Sequence, residues 1–149
     1  MLPKLNPAGE AGTSSPWRRP MAHEILEMKS VHGTKENGYS HVAKAGKTLY
    51  IAGQVALDPR GSLIGKGDFE AQARQVYTNL RNILHEAGGG MENIVKMTTL
   101  LTDQKNMESR RRIRKEFFGD IMPPNTLMIV KALASPDYMI EVEAIAVLD

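Results

Sequence analysis

Apolar residues recur along this chain at two periods, and the switches between them lay out its elements. From Tyr39 the sequence alternates as a strand does. Thr48-Leu49-Tyr50-Ile51-Ala52 is rich in β formers and follows the turn signal Ala45-Gly46-Lys47, which predicts a hairpin. Val55 to Gly67 carries Asp58-Pro59-Arg60-Gly61 and further glycines, which predict a surface loop. At Asp68, a predicted N-cap, the period changes. Phe69, Ala73, Val76, Leu80, Ile83, Leu84 and Ala87 follow at spacings of three and four, predicting a helix to about Ala87 that Gly88-Gly89-Gly90 stops.

Ile94 to Thr102 returns to strand character, with Lys96, Thr98 and Leu100 expected on one face and Val95, Met97, Thr99 and Leu101 on the other. Lys105 to Phe118 reads as a second helix. Its stripes are Asn106, Arg110, Ile113 and Phe117 beside Met107, Arg111, Arg114 and Phe118, and Pro123-Pro124 prevents its continuation. Strands are predicted over Leu127 to Leu133 and Tyr138 to Val147, with a turn at Ala134-Ser135-Pro136-Asp137 between them. The order β-β-α-β-α-β-β predicts an α+β domain, a mixed sheet with both helices on one face. In the last strand Ile140, Val142, Ala144 and Ala146 are apolar on one face and Ile145 and Val147 on the other. Self-association is therefore expected to cover the sheet's open face.

Composition narrows the picture. A chain of 149 residues with 42% hydrophobic and 24% charged residues suits one globular domain. Residues 1–20 hold Pro3, Pro7, Pro16 and Pro20 among Gly, Ser and Ala, which predicts a disordered tail or extension and puts the domain at 21–149. Cysteine is absent, which excludes disulfides, thiolate nucleophiles and Cys-based metal sites. A formal charge of +2 implies no nucleic-acid or membrane partner, and no stretch reaches the ~18 apolar residues of a membrane span. A cytoplasmic location is expected.

Particular motifs then add a resemblance: Tyr39, Ile51-Ala52-Gly53-Gln54, Gln72-Ala73-Arg74-Gln75, Asn79-Leu80, Glu116-Phe117-Phe118 and Ile140-Glu141-Val142-Glu143-Ala144-Ile145-Ala146. In this order, over about Gly38 to Val147, the chain resembles the RidA (YjgF) family. The resemblance implies a chorismate-mutase-like fold, a homotrimer whose sheets form a central barrel, and clefts between neighbouring subunits. It also implies hydrolysis of reactive enamines or imines to oxo compounds and ammonia, with no cofactor and no metal.

Carried over by position, the cleft would hold Tyr39, the Ala52-Gly53 backbone, Arg111, Asn125 and Glu141, with Glu141 as the catalytic carboxylate. Three positions depart from the family pattern. Ala52 replaces a serine, Arg111 replaces an asparagine, and Asn125 stands where an arginine normally pairs with the substrate carboxylate; in the alternative register Thr126 takes that place. A lost charge-assisted hydrogen bond is worth about 1.5–3 kcal/mol, so a carboxylate ligand is expected to bind roughly ten- to a hundredfold more weakly. Two readings therefore stay open, a deaminase and a non-catalytic trimer that binds a small metabolite or a partner. The family's older ribonuclease label prompts a look at Arg110, Arg111, Arg112, Arg114 and Lys115. They spread over both helical stripes without interleaved aromatics, as on a solvated face, so nucleic acid is not the expected partner. His23, His32, His41 and His85 are expected at the surface or in turns, with no pair placed for acid and base work.

Overall fold

A computed structural model describes residues 22–149, so the tail expected over 1–20 lies outside the described residues. The hairpin forms where it was expected. Gly46, at φ +59, turns the chain from β2 (Val42–Ala45) into β3 (Thr48–Gln54), a backbone conformation that L side chains resist. An unforeseen strand, β1 (Glu24–Leu26), adds to the outer side of β2; with three residues it is too short to show a period. Asp68 caps α1 (Phe69–Glu86), its Oδ1 accepting from the Ala71 N–H at 3.1 Å. Then come β4 (Ile94–Leu101), α2 (Met107–Phe118), β5 (Asn125–Ile129) and β6 (Ile140–Val147).

These strands make one mixed sheet in the order β1-β2-β3-β6-β4-β5, antiparallel except for the β4–β5 pair. The element order is therefore β-β-β-α-β-α-β-β, one strand more than expected. β5 is also shifted from the expected Leu127 to Leu133. Pro124 already accepts from the Met97 N–H at 2.9 Å, so pairing starts as soon as the prolines end, and it stops where β4 stops. β6 begins at Ile140 rather than Tyr138, because the Tyr138 N–H is used in the turn, donating to Ser135 O at 3.1 Å.

The two helices cover one face of the sheet. Val76, Tyr77, Leu80, Ile83 and Leu84 of α1 and Ile113 and Phe118 of α2 bury against Leu49, Ile51, Met97, Leu101, Ile140, Val142, Ala144 and Ala146. Tyr77 packs its ring against Phe117 and Phe118, at 5.4 and 6.0 Å between centroids. Arg74 clips the helices together through a bidentate pair with Glu116, and Arg112 pairs with Glu70. These contacts are exposed to solvent, which screens them, so apolar burial holds the helices in place.

On the open face, Ile25, Ala43, Tyr50, Ile145 and Lys96 stand opposite one another across five strands, and Tyr50 is 50% exposed. Val95 was expected on the same face as Met97, which the structure buries. A register shift between Ile94 and Lys96 instead leaves Val95 as the extra residue of a bulge, 46% exposed. No helix among the described residues is long and apolar enough to cross a membrane.

Candidate functional site

A second irregularity shapes the site. β3 and β6 pair from Thr48 to Ile51 and again at Gln54, with a shift between, so Ala52 and Gly53 together oppose the single residue Glu143. The bulge carries the Gly53 backbone over the start of β6. A Cβ placed on Gly53 would overlap the Glu141 carboxylate, lying 2.8 Å from its carboxyl carbon and 2.9 Å from its Cγ. Glycine at this position leaves room for the Glu141 side chain, which a Cβ would displace; backbone strain plays no part.

Around this contact opens a cleft of about 550 Å³, lined by His32, Asn37, Tyr39, Ala52, Gly53, Val55, Leu57, Ala134, Tyr138 and Glu141. Two buried amides of α1 hold its walls. Asn79 donates from Nδ2 to Val55 O and Leu57 O at 3.0 and 2.9 Å. Gln72 donates from Nε2 to Gly65 O and Asp137 O at 3.0 and 2.8 Å, while its Oε1 accepts from the Met139 N–H at 2.9 Å. A polar side chain in an otherwise apolar helical stripe signals such a tie.

Electrostatics distinguish the carboxylate in the cleft. Burial, and after it the neighbouring Glu143, raises the Glu141 carboxyl above the ordinary carboxylate range. Burial also raises the Tyr39 phenol, reinforced by Tyr138 and Glu141, so Tyr39 keeps its proton at neutral pH. The arrangement can therefore present a proton acceptor of enhanced basicity beside a neutral hydroxyl. Among the described residues no group of three or more His, Asp or Glu side chains is placed to hold a metal ion.

The structure brings four of the expected residues, Tyr39, Ala52, Gly53 and Glu141, into one cleft, and places the other three elsewhere on the chain. Asn125 opens β5 and accepts at Oδ1 from the Thr99 hydroxyl at 2.8 Å. Thr126 is exposed and accepts from Lys96 Nζ at 2.8 Å. Arg111 is exposed on α2; the guanidinium linked to Asn125 is that of Arg110, which donates to Thr99 Oγ1 at 3.3 Å.

Residues 32–148 match the family described as Endoribonuclease L-PSP, the RidA/YjgF family. The chain belongs to this family. Relatives within it include a RutC family protein of Pyrococcus horikoshii, 39% identical over 108 residues, which are 72% of this chain and 85% of that protein. The 2-iminobutanoate/2-iminopropanoate deaminase of Mus musculus is 37% identical over 109 residues, 73% of this chain and 80% of that one. Among solved structures, the Rid-family protein YyfA of Yersinia pestis superposes with a TM-score of 0.79 at 31% identity, covering 85% of this chain and all of that one (100%).

Two of the four histidines lie elsewhere than the sequence suggested, while His23 and His85 are exposed as expected. His32 and His41 were expected at the surface or in turns and are buried, 6% and 4% exposed, with ring centroids 4.8 Å apart. His32 Nε2 lies 3.1 Å from the Tyr39 hydroxyl, so it belongs to the cleft. The pair was not legible because His32 lies in an irregular segment with no period to place it. Tyr138, Val55 and Leu57 were missed for the same reason; Asn79 and Gln72, quoted only as family motifs, turn out to be what holds their loops.

Proposed function

We propose that this protein is a cytoplasmic RidA-family homotrimer that hydrolyses small enamines or imines to oxo compounds and ammonia without a cofactor, in clefts between subunits. The observation that carries this reading is the Glu141 carboxylate, raised by burial and seated across bare Gly53 beside the Tyr39 hydroxyl. Water enters against the imine carbon and Glu141 accepts its proton as the C–O bond forms. The C=N π bond breaks toward nitrogen, which takes up that proton from Glu141 and leaves the carboxylate free again. The resulting carbinolamine expels ammonia as its C–O bond becomes C=O, and Glu141 carries the remaining proton from oxygen to the leaving nitrogen.

The deaminase name of the mouse relative supports this chemistry. Trimer formation is supported by the apolar row Ile25, Ala43, Tyr50 and Ile145 on the open face, which a barrel of sheets would bury. In such a trimer a neighbour's Arg111, Asn125 or Thr126 would complete the cleft and set its preference for anionic or neutral ligands.

A second reading has its own observation. No lysine or arginine is among the described residues lining the cleft, so a carboxylate ligand finds no cation within the chain. That favours a trimer which binds a small metabolite without turnover. The deciding experiment measures hydrolysis of an imine generated in situ from a small amino acid by the wild type, Glu141→Ala and Asn125→Arg. The enzyme reading expects wild-type turnover abolished in Glu141→Ala. An inactive wild type that gains turnover on Asn125→Arg, and that small metabolites stabilise thermally, would replace it with the binding reading.

A further inference from the structure

Behind the cleft, a run of hydrogen bonds fixes where protons sit. Gln54 is fully buried, and its Nε2 lies 3.0 Å from both Ala52 O and His41 Nδ1. A carbonyl only accepts, so Gln54 donates to Ala52 O, and the same amide group donates to His41 Nδ1, which must be an unprotonated acceptor. His41 Nε2 in turn lies 2.8 Å from His32 O, again an obligate acceptor, so the His41 proton is on Nε2. His41 is thereby a neutral Nε2–H imidazole with both nitrogens occupied.

His32 stands edge-on to it at 89° and has one polar neighbour, the Tyr39 hydroxyl, on Nε2. Its Nδ1 is buried without a partner. Burial lowers the imidazole below its ordinary range, so His32 is neutral beside the neutral His41 and holds a single ring proton. On Nδ1 that proton would form a buried N–H with no acceptor, an arrangement seldom found in folded proteins. On Nε2 it leaves only a bare lone pair, and the N–H points at the Tyr39 oxygen.

We infer that His32, as a fixed Nε2–H donor, is a positioning residue that turns the Tyr39 hydroxyl proton into the cleft. Tyr39 becomes the cleft's hydrogen-bond donor and Glu141 its acceptor. The bound molecule must then present an acceptor to Tyr39, an imine nitrogen, a hydroxyl or a carbonyl oxygen, while that molecule or its attacking water offers Glu141 a proton. The kinetic side of this inference rests on the imine-hydrolase reading; its structural side does not. His32 acts through Tyr39 and moves no proton of its own.

Two measurements test it. Long-range 15N–1H correlation of the imidazoles in the labelled wild-type protein at pH 7 is expected to show neutral Nε2–H tautomers for both His32 and His41. An Nδ1–H or doubly protonated His32 would overturn the inference whether or not the protein is an enzyme. In the imine assay, His32→Met is expected to lower kcat/KM roughly three- to tenfold, the scale of one neutral hydrogen bond. His32→Gln, whose amide nitrogen reaches the place of Nε2, restores most of the loss. In a Tyr39→Phe background, His32→Met should change nothing further. An equal loss there would mean that His32 supports the fold generally, and would overturn the inference. A wild type without turnover sinks the hydrolase reading alone and leaves the tautomers to decide this one.

Discussion

Gly53→Ala separates the chemistry of the cleft from the stability of the fold. The added methyl would stand 2.8 and 2.9 Å from two carbons of Glu141, where non-bonded carbons rest at about 3.5–4.0 Å. The carboxylate must therefore withdraw by roughly 1 Å. Holding it off its preferred rotamer costs about 0.5–1.5 kcal/mol. Gly53 does not have a positive φ, so alanine fits the backbone and restricts the unfolded chain, which offsets the cost by about 0.4–1 kcal/mol. The melting temperature should thus stay within roughly 5 °C of wild type. A misplacement of about 1 Å at a reacting group costs on the order of a hundredfold in rate. The imine assay run beside thermal unfolding should show kcat/KM falling about a hundredfold at nearly unchanged Tm. If Gly53→Ala keeps wild-type activity within threefold while Glu141→Ala is dead, the carboxylate does not work from its place against Gly53.

Two other perturbations probe the same framework. Gln72→Ala removes a buried amide that makes three hydrogen bonds to the loop at Gly65 and to Asp137 and Met139, and strands their backbone groups. Urea unfolding should show a loss of about 2–4 kcal/mol, and a loss below about 1 kcal/mol would mean that water replaces the amide freely. The Glu141 carboxyl is raised in the folded state, so its contribution to stability is full at low pH, below the unfolded value, and is lost as pH rises through the folded one. Glu141→Gln should therefore raise Tm at pH 7 but not at pH 4. The wild type should also lose activity on acidification along a limb lying above the ordinary carboxylate range; equal Tm gains at both pH values would rule out the titration.

What the sequence disclosed follows from where periodicity operates. The apolar stripe of α1, its Asp68 cap and the alternation in β6 are long enough to place their elements. Bulges defeat the same logic. One residue too many at Val95 reverses its face, and the shift at Ala52-Gly53 builds the cleft's central contact without a sequence signature beyond the glycine itself. The site's remaining walls come from segments without a period, His32 to Tyr39, Val55 to Leu57 and Ala134 to Tyr138, the last two tied to α1 by long-range amide bonds. Family resemblance supplied Tyr39 and Glu141, but it said nothing of two buried imidazoles.

The central place of β6 bears on how the molecule comes into being. It pairs with β3 on one side and β4 on the other, although the ribosome makes it after both. Until it emerges, the β2–β3 hairpin and the β4–β5 pair are separate halves with unpaired inner edges, the kind of surface on which nascent chains adhere to one another. The strand that joins those halves also delivers Glu141, so a chain cannot display its carboxylate before its sheet is whole.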